Sequence, residues 1–393
     1  MINRISLKDF KCFRERCSIE LSKVTVMYGK NGRGKSSVAQ ALLLIGQSMK
    51  RNNNIDRLLV NDSFVSLGQF DELVNINAKE KSFEITLISN NKETVTLHFS
   101  KSPKSPDSGI LTDMTVNEQS RVEKMSSFAG NGDHDSHEPK DNYTFNDNLL
   151  QDFHEPTATY RTFLSTSDVN VLQELKETLY VAADRKGPVS TVKSSFPYEG
   201  LDPHGGNVIN IIASRDVVFL QEVEKALSYT LSGASIQINS KDAETLELKM
   251  NSADDDRYFH PVNVGFGYSY VLPVIVAALL AKENSLLIIE NPEAHLHPGA
   301  QSRVIEFLIR QSNKKNLQLL IESHSDHVIN GLRIAVKKGI LKPEDALINH
   351  FDYKEGKGTE SEIKKITCDK NGTLSDYPND FMDEWTAQMM QLV

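Results

Sequence analysis

The sequence is poor in the features that mark secreted, membrane-embedded or nucleic-acid-coating proteins. It has three cysteines, Cys12, Cys17 and Cys368, and their spacing fits neither a disulfide framework nor a metal knuckle. A reducing compartment is therefore expected. No apolar run reaches the roughly 18 residues of a membrane span, and the start, MINRISLKDF, lacks the apolar segment of a signal peptide. The longest apolar stretch, Val271 to Ala281, reads as a buried core helix. There is no excess of base either: 44 Lys and Arg stand against 53 Asp and Glu, a formal net charge of −9. That argues against a uniformly basic coat for nucleic acid and leaves room only for a local basic face. A soluble, cytoplasmic protein of two or three domains, with no membrane partner, is the expectation from these absences.

What is there centres on Gly29 to Ser37, GKNGRGKSS. Gly29, Gly34, Lys35 and Ser36 match the pattern G-x-x-x-x-G-K-[ST], whose glycines let backbone N–H groups curl around phosphate oxygens. The flanks suit it. Val24 to Tyr28 reads as a buried strand, and Ser37 to Met49 as a helix with Val38, Leu42, Leu43, Ile45 and Met49 on one face. A helix N-terminus adds partial positive charge where the phosphate would sit. Gly29, Asn31, Gly32, Gly34, Lys35, Ser36 and Ser37 form the candidate nucleotide cradle, with Lys35 toward the β- and γ-phosphates and the Ser36 hydroxyl toward Mg2+.

Before the loop, Ile2–Phe10 and Ser18–Leu21 read as an antiparallel pair, with Lys8, Lys11, Arg14 and Arg16 clustered between them; these could touch nucleotide or DNA phosphate, and a solvated basic face is the preferred reading. Phe83–Ile88 and Thr94–Phe99 read as a hairpin. From Lys101 to about Pro156 the chain turns polar, and is expected to be a partly mobile insertion because it cannot bury enough apolar surface to offset chain entropy. Its His134, His137 and His154 could suggest a metal, but solvated loop histidines are the preferred reading. Asp184 to Pro188 reads as a charged turn.

The last third is the most regular. Ser285 to Glu290, SLLIIE, is an apolar run ending in an acid, as expected of a parallel strand buried on both faces. A carboxylate at the end of such a strand has a desolvation cost that Mg2+ offsets, so Glu290 is the Walker B candidate. Leu317 to Glu322 is a second buried strand, ending in Ser323-His324-Ser325-Asp326-His327. Ile348–Tyr353 and Ser361–Thr367 read as a hairpin around Gly356 and Gly358, and the chain closes on a short helix. His295, His297, His324, Asp326 and His327 have ligand-like spacing, but loop and switch roles are favoured over a transition-metal site.

Five segments in order, IxLxxFKxF near the start, GKNGRGKSS, GFGYS, IIENPEAHLHP and IESHSDH, resemble ABC-type AAA ATPases of the RecF, SMC and OLD kind. The likeness is strongest to compact bacterial ATPases predicted in phage-defence operons, whose C-terminal extension Pro378, Phe381 and Asp383 match. It spans about residues 1–100 and 173–393 and implies an α/β, ABC-type P-loop head. That head has a mixed β-sheet flanked by helices and an inserted, partly disordered or helical arm or lid.

By that resemblance Gly265, Gly267 and Ser269 take the place of the ABC signature, which reaches the γ-phosphate held by another protomer. Gln69 stands where a metal-binding Q-loop glutamine is expected, Glu293–Pro298 where the D-loop begins, and His324 at the switch histidine. Arg185 matches an arginine of unassigned role. The wider class carries a second acid after Glu290 as general base, and this chain has Asn291. A carboxamide orients water but takes no proton at neutral pH. Either Glu293 supplies the carboxylate, or hydrolysis is slow and the protein is an ATP-gated clamp; Glu293 is the preferred reading.

The implied cofactors are ATP and Mg2+, and the implied assembly is an ATP-dependent homodimer or higher oligomer. The implied partner is an operon-encoded effector such as a nuclease or toxin, in anti-phage defence, with DNA as a further candidate. A DNA-repair clamp and a slow-hydrolysing sensor or scaffold are the alternatives. The expected division is an N-terminal lobe over 1–100, the insertion over 101–170, a lid or arm and sheet-completing region over 171–260, a C-terminal lobe over 261–340, and a hairpin with a short helix over 341–393.

Overall fold

The computed structural model describes residues 1–103, 105–124, 161–163, 166, 169–194, 200–252, 256–353, 361–378, 381–382 and 384–392. The insertion's His134, His137 and His154 lie outside these residues, as do Gly356, Gly358 and Asp383.

The first half forms β1 (Ile2–Lys8), β2 (Cys17–Glu20), β3 (Val24–Gly29), α1 (Lys35–Asn52), β4 (Arg57–Leu59), β5 (Ser82–Ser89), β6 (Thr94–Lys101), β7 (Ser108–Val116), β8 (Gln119–Ser120), β9 (Val122–Lys124) and β10 (Arg161–Phe163). Next come α2 (Asn170–Lys176), β11 (Leu179–Val181), β12 (Thr191–Lys193), α3 (Val208–Ala213), α4 (Val217–Leu231), β13 (Ser235–Ser240) and β14 (Thr245–Asn251). The last third holds α5 (Phe266–Leu280), β15 (Leu286–Glu290), α6 (Pro298–Lys315), β16 (Gln318–Glu322), α7 (Asp326–Lys337), β17 (Ala346–Tyr353), β18 (Ser361–Thr367) and α8 (Glu384–Gln391).

The period-two alternation of the central strands decides the layering. A six-stranded sheet runs β11-β15-β16-β3-β17-β18, parallel except for the β17–β18 hairpin. Leu287, Ile289, Leu319 and Ile321 face one core with α4 to α7, while Leu286, Ile288 and Leu320 face the other with α1. That second core is closed by an antiparallel sheet, β2-β1-β5-β6-β7-β4, with β8 beside β7. A third sheet, β12-β14-β13, sits against α3 and α4. The mixed, helix-flanked sheet is the α/β architecture expected from the sequence.

One expectation is corrected here. Residues 108–116 fall in the polar insertion, yet they form β7, pairing with β6 and burying Leu111, Met114 and Val116. The alternation of GILTDMTV is a strand pattern whose polar flanks hid it.

Glu306 on α6 ties this layer together. It is 8% exposed and accepts hydrogen bonds from Arg310 and from Lys338. Burial pushes its carboxyl up, but hydrogen bonds from Arg310, Lys338 and Tyr229 carry it down to about 2. A depressed carboxyl contributes stability above its unfolded-state value, and that contribution fades as pH falls toward the folded one. Both cations are half exposed, so Glu306→Gln is expected to cost about 1–2 kcal/mol at pH 7. The gap should shrink as pH falls from about 4 toward 2; urea unfolding of both proteins across that range checks this.

Candidate functional site

Three parallel strands carry the predicted chemistry to one edge. β3 ends at Gly29, β15 at Glu290 and β16 at Glu322, with Glu290 opposite Glu322 and Glu322 opposite Met27 in register. The carboxyl edge of parallel strands is where ligands bind in such sheets.

The loop after β3 is built around close approaches. Gly29 has φ 126°, and a Cβ there would lie 2.2 Å from the Phe351 carbonyl oxygen on β17. Lys30 N–H donates to that same carbonyl at 3.0 Å. Gly34 has φ 101°, and a Cβ there would meet Phe13 and the Cys12 thiol, while Gly32 faces open space. Lys35 is 3% exposed and folds back on the loop, donating to the carbonyls of Gly29 (2.9 Å) and Lys30 (2.7 Å). Burial holds its ammonium below the usual lysine range. Ser37 lies beside the Cys12 thiol, and Asn31 is exposed at the tip.

The Ser36 hydroxyl donates to Glu322 Oε1 at 2.8 Å. Glu290 turns the other way, toward β11 and the residues just after it, where Tyr180 donates to its carboxylate and Ala183 N–H lies 3.3 Å from Oε2. Glu293 is 8% exposed; its Oε1 accepts from Ser323 Oγ (2.7 Å) and from the His324 N–H (3.1 Å). The buried oxygens Glu293 Oε2, Glu322 Oε2 and Asn291 Oδ1 have no protein partner. Burial raises the carboxyls of Glu290 and Glu293, and burial reinforced by the Glu290 charge pushes Glu322 up to about 7. Partial desolvation of the His324 ring, then the nearby Lys35 charge, holds it below the usual histidine range. Asn291, with φ 45°, turns the chain after β15 and donates its N–H to the Glu322 carbonyl at 2.8 Å.

Arg185, in the expected charged turn, is buried: it is 3% exposed and donates to the carbonyls of Ala182, Glu290 and Asn291. It also lies over the Tyr270 ring, 5.6 Å from its centroid. It fastens the end of β15 to the start of α5, and burial draws its guanidinium down to about 10.

The predicted signature sits apart from the P-loop. Gly265 is the N-cap of α5 with φ 118°, and a Cβ on Gly267 would lie 2.6 Å from the His295 carbonyl oxygen. Gly265, Phe266 and Gly267 line a cleft of about 490 Å3 with His295, His297 and Arg303. The Ser269 hydroxyl oxygen is buried without a partner, and Phe266 is 52% exposed. Gln69 is exposed at the N-cap of a short turn, Phe70–Glu72, and no described hydrogen bond links it to Ser36 or Glu290.

The remaining candidates are plainer. Arg16 pairs with Glu84 and Lys11 donates to Gln40, so half of the basic cluster has protein partners. Among the described residues no three His, Cys, Asp or Glu side chains converge as a metal cage. The three cysteines are free, and no described helix is long and apolar enough to cross a membrane. Sequence reasoning passed over Glu322, although LQLLIE is, like SLLIIE, an apolar run ending in an acid.

The C-terminal segment borders the loop. Tyr28, just before Gly29, meets Phe381 edge-on at 5.3 Å between centroids and stacks on His350 at 6.0 Å, while its hydroxyl donates to Asp326 at 2.7 Å. Arg33 lies 3.6 Å from the Tyr353 ring centroid, and Lys30 pairs with Asp352 at 3.0 Å.

Comparisons with known proteins bear on the family and the fold. Residues 1–329 match the sequence family described as "AAA ATPase domain", and residues 341–392 match "Protein of unknown function (DUF3696)". No curated protein matches the chain. Among solved structures, an SMC head bound to the C-winged helix domain of ScpA is similar, with 12% identity, TM-score 0.51, and 93% of this chain and 97% of that one covered. A second is the SMC head domain with an extended coiled coil bound to the C-terminal domain of ScpA derived from Pyrococcus furiosus, with 10% identity, TM-score 0.50, and 100% and 99% covered. At such identities the likeness is one of fold.

Proposed function

This chain belongs to the AAA ATPase domain family, and from that premise we propose that it binds and hydrolyses ATP with Mg2+, dimerises on ATP, and gates a partner effector. It is an ATPase of the ABC-type, RecF/SMC-like kind with the fold of an SMC head. The observation that supports the reading is that Lys35, Ser36, Glu290, Glu293, Glu322 and His324 lie at the carboxyl edge of one parallel sheet, where buried oxygens of Glu293 and Glu322 have no protein partner.

Ser36 and Glu290, with Gln69 as the third candidate, would hold Mg2+. The donor set of one hydroxyl, a carboxylate and a carboxamide is all oxygen, as that ion prefers. When bound, the ion neutralises charge on the β- and γ-phosphates. The loop N–H groups and Lys35 bind phosphate, Glu293 accepts the proton of the attacking water, and His324 hydrogen-bonds the γ-phosphate. Gly265, Gly267 and Ser269 act on the nucleotide of a second copy. The cleft they line with His295 and Arg303, and the exposed Phe266 beside it, support an interface on that face. The effector, a nuclease or toxin in anti-phage defence in the cytoplasm, rests on the motif resemblance alone.

The purified protein is expected to hydrolyse ATP only with Mg2+ and to double its mass when ATP is bound and hydrolysis is slowed. Lys35→Ala should abolish both. Light scattering with and without ATP, beside a phosphate-release assay, checks this; an unchanged mass and no turnover would reject the reading. Turnover stimulated by duplex DNA with a steep salt dependence would instead mark a direct DNA clamp.

A further inference from the structure

We propose that Glu322, on the strand between Glu290 and the P-loop, is a direct ligand of the divalent cation that accompanies the nucleotide. This rests on the ATPase reading above and adds to it a ligand outside the predicted set of Ser36, Gln69 and Glu290.

Position argues for it first. β16 lies between β15 and β3, so Glu322 is one strand from the P-loop and Glu290 is two. The carboxylate already accepts a hydrogen bond from the hydroxyl of Ser36, the group a P-loop directs at the metal. Glu290 instead engages Tyr180 and Ala183.

Charge argues for it independently. Glu290, Glu293 and Glu322 crowd at adjacent strand ends, and among the described residues none of the three makes an ion pair. The two nearest cations are committed to backbone carbonyls: Arg185 to Ala182, Glu290 and Asn291, and Lys35 to Gly29 and Lys30. Buried carboxylates without a counter-charge are costly, and a metal ion is the usual remedy. Glu322 is 7% exposed and its Oε2 has no partner, so one lone-pair-bearing oxygen is free of the protein beside the Ser36 hydroxyl. An oxygen from each of two carboxylates, one hydroxyl and the nucleotide's phosphates suits a small octahedral cation.

The experiment uses Mn2+ as the probe, followed by its electron paramagnetic resonance signal in the presence of ADP, on the full chain. Glu322→Gln keeps an acceptor for Ser36 and removes the charge. It is expected to weaken Mn2+ binding at least about tenfold, while ADP binding in excess chelator stays equal to wild type or tightens, because a negative charge facing the phosphates is gone. Glu322→Asp, which keeps the charge, is expected to lose less than the amide. A Glu322→Gln protein that holds Mn2+ within twofold of wild type overturns the proposal, and intact chelator-phase ADP binding shows that the variant is folded. Wild type that binds no nucleotide at all would reject the ATPase reading instead, a result visible before any variant is made.

Discussion

Glu293→Gln is expected to lower kcat for ATP hydrolysis by about a hundredfold or more, the usual share of a general base, while ATP affinity stays within about threefold and the ATP-bound dimer lives longer. The substitution preserves size and changes charge alone. Oε1 is held by Ser323 Oγ and by the His324 N–H, so the side chain is oriented before any ligand arrives. Oε2 is buried without a partner and is the oxygen left to receive a proton. Burial raises this carboxyl, the direction that makes its carboxylate a stronger base. Asn291, where the wider class has its acid, offers a carboxamide oxygen that orients water and accepts no proton. Single-turnover phosphate release, with nucleotide affinity measured alongside, separates the two effects; unchanged turnover would remove Glu293 from the catalytic set.

Gly29→Ala is expected to cost about 3 kcal/mol or more of stability and to abolish nucleotide binding. Two penalties coincide. The φ of 126° is one that an L side chain rarely adopts, and the new Cβ would lie 2.2 Å from a backbone oxygen of Phe351, which no rotamer can relieve. Gly32→Ala is the control: φ is also positive, 71°, but a Cβ there meets nothing within 4 Å. Its cost should be near 1 kcal/mol. Thermal melts and a fluorescent-nucleotide titration of both variants test the contrast, and equal stability of the two would show that the approach of β17 to the loop is not what demands glycine.

Much of this was readable in the sequence because the signals are local. A glycine loop between an apolar strand and an amphipathic helix occupies fewer than thirty residues, and β3, the loop and α1 follow it. The acid-ended run SLLIIE identified β15 the same way. What was not legible is order in the sheet. That β16 lies between β15 and β3, which puts Glu322 rather than Glu290 against Ser36, follows from pairings across some three hundred residues and leaves no mark in any window. Arg185 was singled out by resemblance, but its role was not legible for a related reason: a buried guanidinium bound to three carbonyls looks, in sequence, like any charged residue of a turn. β7 was hidden by composition, since its polar flanks outweighed an alternation confined to nine residues.

The place of β17 has a consequence for inheritance. Two sequence families divide the chain, one ending at residue 329 and the other beginning at 341. The seam between them does not separate two independent pieces. β17, from the second, is the parallel neighbour of β3, from the first, and supplies the carbonyl against which Gly29 is moulded. Phe381 adds a ring against Tyr28 from the same side. A lineage that lost the tail would expose one flank of the P-loop strand as an unpaired edge. One that exchanged it would have to find a replacement fitting Gly29 to within a fraction of an ångström. The two segments are therefore expected to travel together, and a change near Phe351 to be answered by a change near the P-loop.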